Sequence, residues 1–118
     1  MEATPRKIVR IGVPRGDGYA MGPGKADLLE AILATGSISA AGRRLGMSYR
    51  RAWLLVDAMN HAFTGPLVEA HLGGAGGGGA QVTELGLEAL KRYRDLQDQA
   101  WAAVRRSYQD YCRLLMPE

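Results

Sequence analysis

A mainly α, α+β fold is predicted by three features of the sequence. Residues 23–63 place apolar positions at helical spacing between glycine stops, residues 84–115 contain no proline, and two short stretches of strand-like residues flank glycine-rich turns. The expected molecule has an N-terminal β-hairpin, three helices, a second hairpin with a glycine tip and a long C-terminal helix.

Met1 to Pro5 reads as a loose end. Lys7 to Val13 (KIVRIGV) is rich in β-branched residues, with Val9, Ile11 and Val13 alternating as one face of a strand. Pro14, Gly16, Asp17 and Gly18 make a turn, and Tyr19 to Met21 returns as a partner strand. Such a hairpin serves as an edge ornament or as a brace against a neighbouring subunit. Pro23 suits the first position of a helix, where its missing N–H is no loss. Leu28, Leu29, Ile32 and Leu33 give that helix an apolar stripe and Gly36 closes it.

Ser37 to Asn60 (SISAAGRRLGMSYRRAWLLVDAMN) then reads as two helices around a corner. Ser37 and Ser39 can cap the first through side-chain oxygens, Gly46 supplies a left-handed residue at its end, and Ser48 caps the second. Ile38, Ala41 and Leu45 face Ala52, Val56, Met59 and Phe63. Arg43, Arg44, Tyr49, Arg50, Arg51 and Trp53 are left outside, and Ser37 to Val56 carries four arginines against no acid. This is the pattern of a helix-turn-helix, whose second helix sets its N-terminal residues against base edges in a major groove. Helix, glycine, helix is also an ordinary αα-corner.

Gly65-Pro66 stops the second helix. Leu67 to Leu72 reads as a strand, Gly73 to Gly79 as a tip, and Ala80 to Thr83 as a return strand. Two strands with a glycine tip directly after a recognition helix make a wing, where glycine lets backbone N–H groups approach phosphates. The competing reading is a flexible linker. Gly74 to Gly79 also matches G-x-G-x-x-G, but Gln81 and Val82 follow as strand instead of the helix that fingerprint needs, so no dinucleotide is expected.

From Glu84 to about Leu115, with Thr83 as cap, Leu85, Leu90, Tyr93, Leu96, Ala100, Val104, Tyr108, Tyr111 and Leu115 recur at helical spacing. A helix of that length extends roughly 45 Å, beyond what the preceding domain can cover. Pairing with a second copy is the expected use, through Leu90, Tyr93, Leu96, Ala100, Val104 and Tyr108; a helix folded back in two pieces is the alternative.

At 118 residues the chain is read as a single domain, residues 1–118, with 24–83 as helix-turn-helix and wing core and 84–115 as the dimerisation helix. That length leaves no room for a second, ligand-sensing domain. The net charge of +3 is local in origin: residues 1–24 carry four Lys/Arg and two acids, 25–83 five and four, and 84–118 six and six. One cysteine, Cys112, excludes an internal disulfide, and neither a signal peptide nor a membrane span is present in the sequence, so a soluble, cytoplasmic protein is expected. His61, His71 and Cys112 lie too far apart for a metal-ligand spacing, Asp95 and Asp98 read as surface charge, and no nucleophile and base pair stands out. No metal, no cofactor and no enzyme activity are expected.

The chain resembles the N-terminal DNA-binding domain of the ModE-type molybdate-responsive transcriptional regulators. The matching residues are Gly36-Ser37-Ile38-Ser39, Ser48-Tyr49 with Ala52-Trp53, Met59-Asn60, Leu67-Val68-Glu69, and the glycine run from Gly73 to Gly79 followed by Ala80, Thr83 and Gly86, over about residues 24–100. The first helix-turn-helix half is also similar to that of LysR-type regulators, whose wings lack this glycine run. Ala75 stands where family members often carry a lysine. The full-length family has a C-terminal molybdate-binding domain, whereas this chain ends at Glu118 at the length of single-domain members; the resemblance implies DNA binding, not molybdate sensing.

The expected partners are double-stranded DNA, a second copy, and a separate effector or sensor protein. The expected DNA-binding residues are Ser37, Ser39, Arg43, Arg44, Ser48, Tyr49, Arg50, Arg51, Trp53, Gly74, Gly76 and Gly77. Arg50 has the fork geometry for guanine, with Tyr49, Trp53 and Ser48 beside it, while Arg43, Arg44 and Arg51 suit phosphates. Trp53 could instead pack beneath the wing as a core aromatic. The expected function is a homodimeric regulator on a roughly palindromic operator, which the resemblance places near molybdenum-related genes. The alternative is an assembly module that keeps the dimer helix without reading DNA.

Overall fold

The structure, a computed structural model, describes residues 5–71 and 79–118. Its elements in chain order are α1 (Pro5–Ile8), β1 (Val13–Arg15), β2 (Gly18–Met21), α2 (Pro23–Thr35), α3 (Ile38–Arg44), α4 (Tyr49–Ala62), β3 (Val68–His71), β4 (Gly79–Val82) and α5 (Glu84–Cys112). The fold is mostly helical, with two separate two-stranded antiparallel sheets, β1–β2 and β3–β4. No helix among the described residues is long and apolar enough to cross a membrane.

The helix ends follow from local chemistry. Pro23 begins α2, and Gly36 ends it at φ +70°, its N–H donating to the Ile32 carbonyl. Ser37 Oγ accepts the Ala40 N–H to start α3, Ser48 Oγ the Arg51 N–H to start α4, and Thr83 Oγ1 the Gly86 N–H to start α5. Gly46 makes the corner between α3 and α4 at φ +71°, a left-handed conformation that side chains resist. Ser39 does not cap. It lies inside α3, where its Oγ accepts from Arg43.

The core gathers Leu28, Leu29 and Ile32 of α2, Ile38 and Ala41 of α3, Ala52, Val56 and Met59 of α4, and Leu67, Val68 and Val82 of the second sheet. Helices α3 and α4 cross closely because Gly42 faces Ala52; a Cβ at Gly42 would lie 3.1 Å from that of Ala52. The second hairpin is fixed at both ends. The Ala80 N–H donates to the Gly36 carbonyl at 2.9 Å, and Asn60 Oδ1 accepts the N–H groups of Leu67 and Val68 while its Nδ2 donates to the Val68 carbonyl.

The N-terminal segment departs from the sequence reading. Residues 5–8 are helical, and the strand begins only at Val13 instead of running from Lys7. Strand β2 reaches back only as far as the Val13–Met21 pair before Gly22-Pro23 turns into α2. Side chains of α5 bond the backbone ahead of it instead: Gln97 Nε2 donates to the Val9 carbonyl at 2.9 Å and Tyr93 Oη to that of Ile11 at 2.7 Å. Burial raises the Tyr93 phenol above its usual pKa, which keeps it protonated as a donor. Arg94 beside them ties α5 to α2 through Asp27 and Glu30.

Helix α5 is one continuous rod, so the folded-back alternative is excluded. Its end falls at Cys112, three residues before the expected Leu115, where turn bonds from Leu114 to Tyr111 and Leu115 to Cys112 close the last carbonyls. At about 1.5 Å per residue it is the longest feature of a molecule measuring 56 × 31 × 24 Å.

Candidate nucleic-acid interface

The first turn of α4 combines a capped start with side chains left to solvent. Three consecutive residues, Tyr49, Arg50 and Arg51, are exposed, because the helical period turns the next one, Ala52, into the core. At about 100° per residue the three fan out, with Arg50 in the middle. Tyr49 and Trp53, one turn apart, meet edge to face with ring centroids 6.1 Å apart. They line an open depression of about 240 Å³ with Ser37, Ser39, Ala70 and His71, between α3, α4 and the β3–β4 hairpin. Arg50 lines an adjoining depression with Trp53, Leu54 and Asp57.

Trp53 lies partly in the core and partly at the surface. Its ring is half-buried against the core, yet it lines both depressions, and its buried indole N–H has no hydrogen-bond partner among the described residues. The hydroxyls of Ser37 and Ser48 accept backbone N–H groups as caps and that of Ser39 accepts from Arg43, which leaves each with its O–H free to donate and one lone pair free to accept. Arg44 sits apart from Tyr49 and Arg50, in a depression lined by Asp27 and Glu30. Gly74, Gly76 and Gly77, and Ala75 with them, lie outside the described residues. Among the described residues no three His, Cys, Asp or Glu side chains cluster as metal ligands would.

The expected dimer residues divide. Leu90 and Tyr93 are 7% and 2% exposed because they pack on the protomer's own core; this corrects their assignment to a partner surface. Leu96 and Val104 are about half exposed, while Ala100 and Tyr108 are partly covered. Two members of the same stripe escaped the sequence reading. Gln97 is buried by its bond to Val9, and Trp101 meets Tyr108 with centroids 5.5 Å apart. The 3-4 spacing 90, 93, 97, 101, 104, 108 was the available signal.

No family model matches the chain. Over 76 residues, 64% of this chain and 28% of the relative, it is 47% identical to the molybdenum-pterin-binding protein MopB of Rhodobacter capsulatus. It is 37% identical over 106 residues to the molybdenum transport protein ModE of Azotobacter vinelandii, covering 90% of this chain and 39% of that protein. Over 71 residues, 60% of this chain and 27% of the relative, it is 39% identical to the DNA-binding transcriptional dual regulator ModE of Escherichia coli K12. The chain thus spans well under half the length of these curated relatives, and over most of its own length it is similar to ModE-type proteins while matching only part of their architecture.

Proposed function

We propose that residues 1–118 form one winged helix-turn-helix domain that binds duplex DNA in a sequence-specific way. Helix α4 enters the major groove, the β3–β4 hairpin is the wing, and the bound form is a homodimer on a roughly palindromic operator. The observation that carries this reading is the fan of Tyr49, Arg50 and Arg51 on the exposed, capped start of α4, within a stretch free of carboxylates. Arg50 reads a guanine, Tyr49 and Trp53 meet bases or sugars, and Arg43 and Arg51 hold phosphates. Arg44, set apart in a depression with Asp27 and Glu30, which pair with Arg94 and Arg6, adds sequence-independent attraction to phosphates. Gly74, Gly76 and Gly77, outside the described residues, complete the proposed set of DNA contacts. The names of the relatives support regulation of molybdenum-related genes.

Selection from a random duplex pool tests this. An inverted repeat with half-sites about one helical turn apart is expected, with affinity falling steeply as salt rises. Arg50→Ala should cost about 1 to 3 kcal/mol on the selected site and relax one position of each half-site. Equal losses on selected and random duplexes would remove Arg50 from base reading.

Beyond Gln97, α5 carries Trp101, Val104, Tyr108 and Tyr111 along one stripe, with Val104 and Tyr111 44% and 65% exposed. We infer that two copies pair along this stripe. Val104→Glu should shift the protein to monomer in sedimentation. It should weaken the full palindrome by about 10²-fold or more while sparing a single half-site, because the second contact loses its effective concentration. A stable dimer in this variant would locate the interface elsewhere. Should selection enrich no sequence and duplex binding be negligible at low salt, the same exposed stripe favours the assembly module.

A further inference from the structure

The start of α4 has a second flank. Arg51 and Leu55, one turn apart, line a different depression from Tyr49 and Trp53, about 390 Å³ in volume, together with Tyr19 of β2, Met47 of the corner, Arg10 and Lys25. Three parts of the chain each supply one cation here, and no carboxylate lines the cleft. Among the described residues, the lysines and arginines that pair with carboxylates are Arg6, Lys91, Arg92, Arg94 and Arg113, on α1, on α5 and just past its end; Arg10, Lys25 and Arg51 make no ion pair. Lys25 Nζ donates to the Tyr19 carbonyl, which fixes the ammonium at the rim and ties the first hairpin to α2. Like charges held together without a counter-ion repel, and an anion placed among them relieves that repulsion. Tyr19, 63% exposed, and the half-buried Met47 and Leu55 add apolar walls beside the charges.

We propose that this cleft is a second backbone site for duplex DNA. Arg10, Lys25 and Arg51 hold phosphates on the other side of Arg50 from the β3–β4 hairpin, and the exposed ring of Tyr19 lies against a deoxyribose. The β1–β2 hairpin is then a second wing, and α4 is gripped from both flanks. This rests on the DNA-binding reading above. The chemistry recognised is a phosphate group, which a free anion could also supply.

Two variants test it, Arg10→Gln/Lys25→Gln and Gly24→Glu. Gly24 is exposed near the start of α2, and a Cβ there meets nothing within 4 Å. Glutamate at that position has better helix propensity and complements the helix dipole, so the melting temperature should stay level or rise while a carboxylate enters the cleft. With binding followed by fluorescence anisotropy on selected and random duplexes between 50 and 200 mM salt, both variants should lose roughly tenfold or more on either duplex at low salt, and the double variant should lower the slope of log K against log salt by about 2. Arg50→Ala, run alongside, should keep the wild-type slope. Wild-type affinity and slope in both variants would overturn the second backbone site and leave the α4 reading intact; no duplex binding by the wild-type protein would overturn both. Inorganic phosphate titrated into the wild-type protein, with the Gly24 and Lys25 amide shifts observed, separates the two sources. Saturation at millimolar phosphate with unaltered DNA binding in the variants would assign the cleft to a free anion and overturn the proposal.

Discussion

Gly86→Ala is expected to destabilise the protein by at least about 2 kcal/mol, the balance of an overpacking penalty near 3 kcal/mol and a helix-propensity gain of up to 1. Gly86 lies buried in the first turn of α5, where an added Cβ would fall on the Leu67 carbonyl oxygen and 2.7 Å from Val82 Cγ1. The obstacle is backbone and cannot swing aside as a side-chain tip would. The Leu67 carbonyl is also engaged, accepting the Thr83 N–H at 2.9 Å, while Thr83 caps Gly86 and donates its own hydroxyl to the Pro66 carbonyl. Moving one of these groups disturbs the whole junction between the second hairpin and α5. Thermal unfolding followed by far-UV circular dichroism, at fixed protein concentration, should show the midpoint lowered by roughly 8 °C or more. A midpoint within about 2 °C of wild type would mean that the junction relaxes at little cost.

Asn60→Ala should cost about 3 kcal/mol. The side chain makes three bonds to the backbone of the next strand, accepting from Leu67 at 2.8 Å and Val68 at 3.1 Å and donating to Val68 at 2.9 Å. Leu67 and Val68 are buried, so removing the amide strands two N–H groups away from water, at about 1 to 3 kcal/mol each before relaxation. Asn60→Asp keeps both acceptor bonds and loses the donor, and should fall between wild type and alanine. Hydrogen exchange at the Leu67 and Val68 amides gives the local reading: protection should drop in Asn60→Ala ahead of protection in α2. Unchanged protection at these two amides would show that the hairpin is held by other contacts. The same bonds set the angle between α4 and the hairpin, so the variant that folds should also bind DNA less tightly than its stability loss alone explains.

Neither role could be read from the residues themselves. Gly86 and Asn60 entered the sequence argument only as matching residues in a family resemblance, because what makes each irreplaceable is a backbone carbonyl or amide from elsewhere in the chain. The caps were different. Ser37, Ser48 and Thr83 each bond an N–H three residues on, and Gly36 and Gly46 answer to their own backbone angles, so these positions were legible locally.

The candidate interface divides in the same way. That Tyr49, Arg50 and Trp53 lie toward one side of a capped helix follows from its period; the structure leaves Tyr49 and Arg50 exposed and half-buries Trp53 against the core. That Arg44 lies beside Asp27 and Glu30, and that Arg10 and Lys25 join Arg51, depends on how α2 and the first hairpin dock.

By itself the sequence determined the order and type of the main elements from residue 13 onward, the caps Ser37, Ser48 and Thr83, and most of the face that each helix turns toward the core, although Leu33 and Leu45 of the expected apolar faces are 53% and 38% exposed. Those are consequences of helical and strand periodicity and of bonds within one turn of chain. Only the tertiary structure decided what covers each face. Leu90 and Tyr93 belong to the same stripe as Val104 and Tyr108, yet the first pair is buried in its own protomer and Val104 is left exposed. Val9 and Ile11 carry the alternation of a strand but give their carbonyls to Gln97 and Tyr93, 88 and 82 positions away. A period states which residues share a side. The partner that meets that side is set by contacts between distant parts of the chain, to which no local pattern is sensitive.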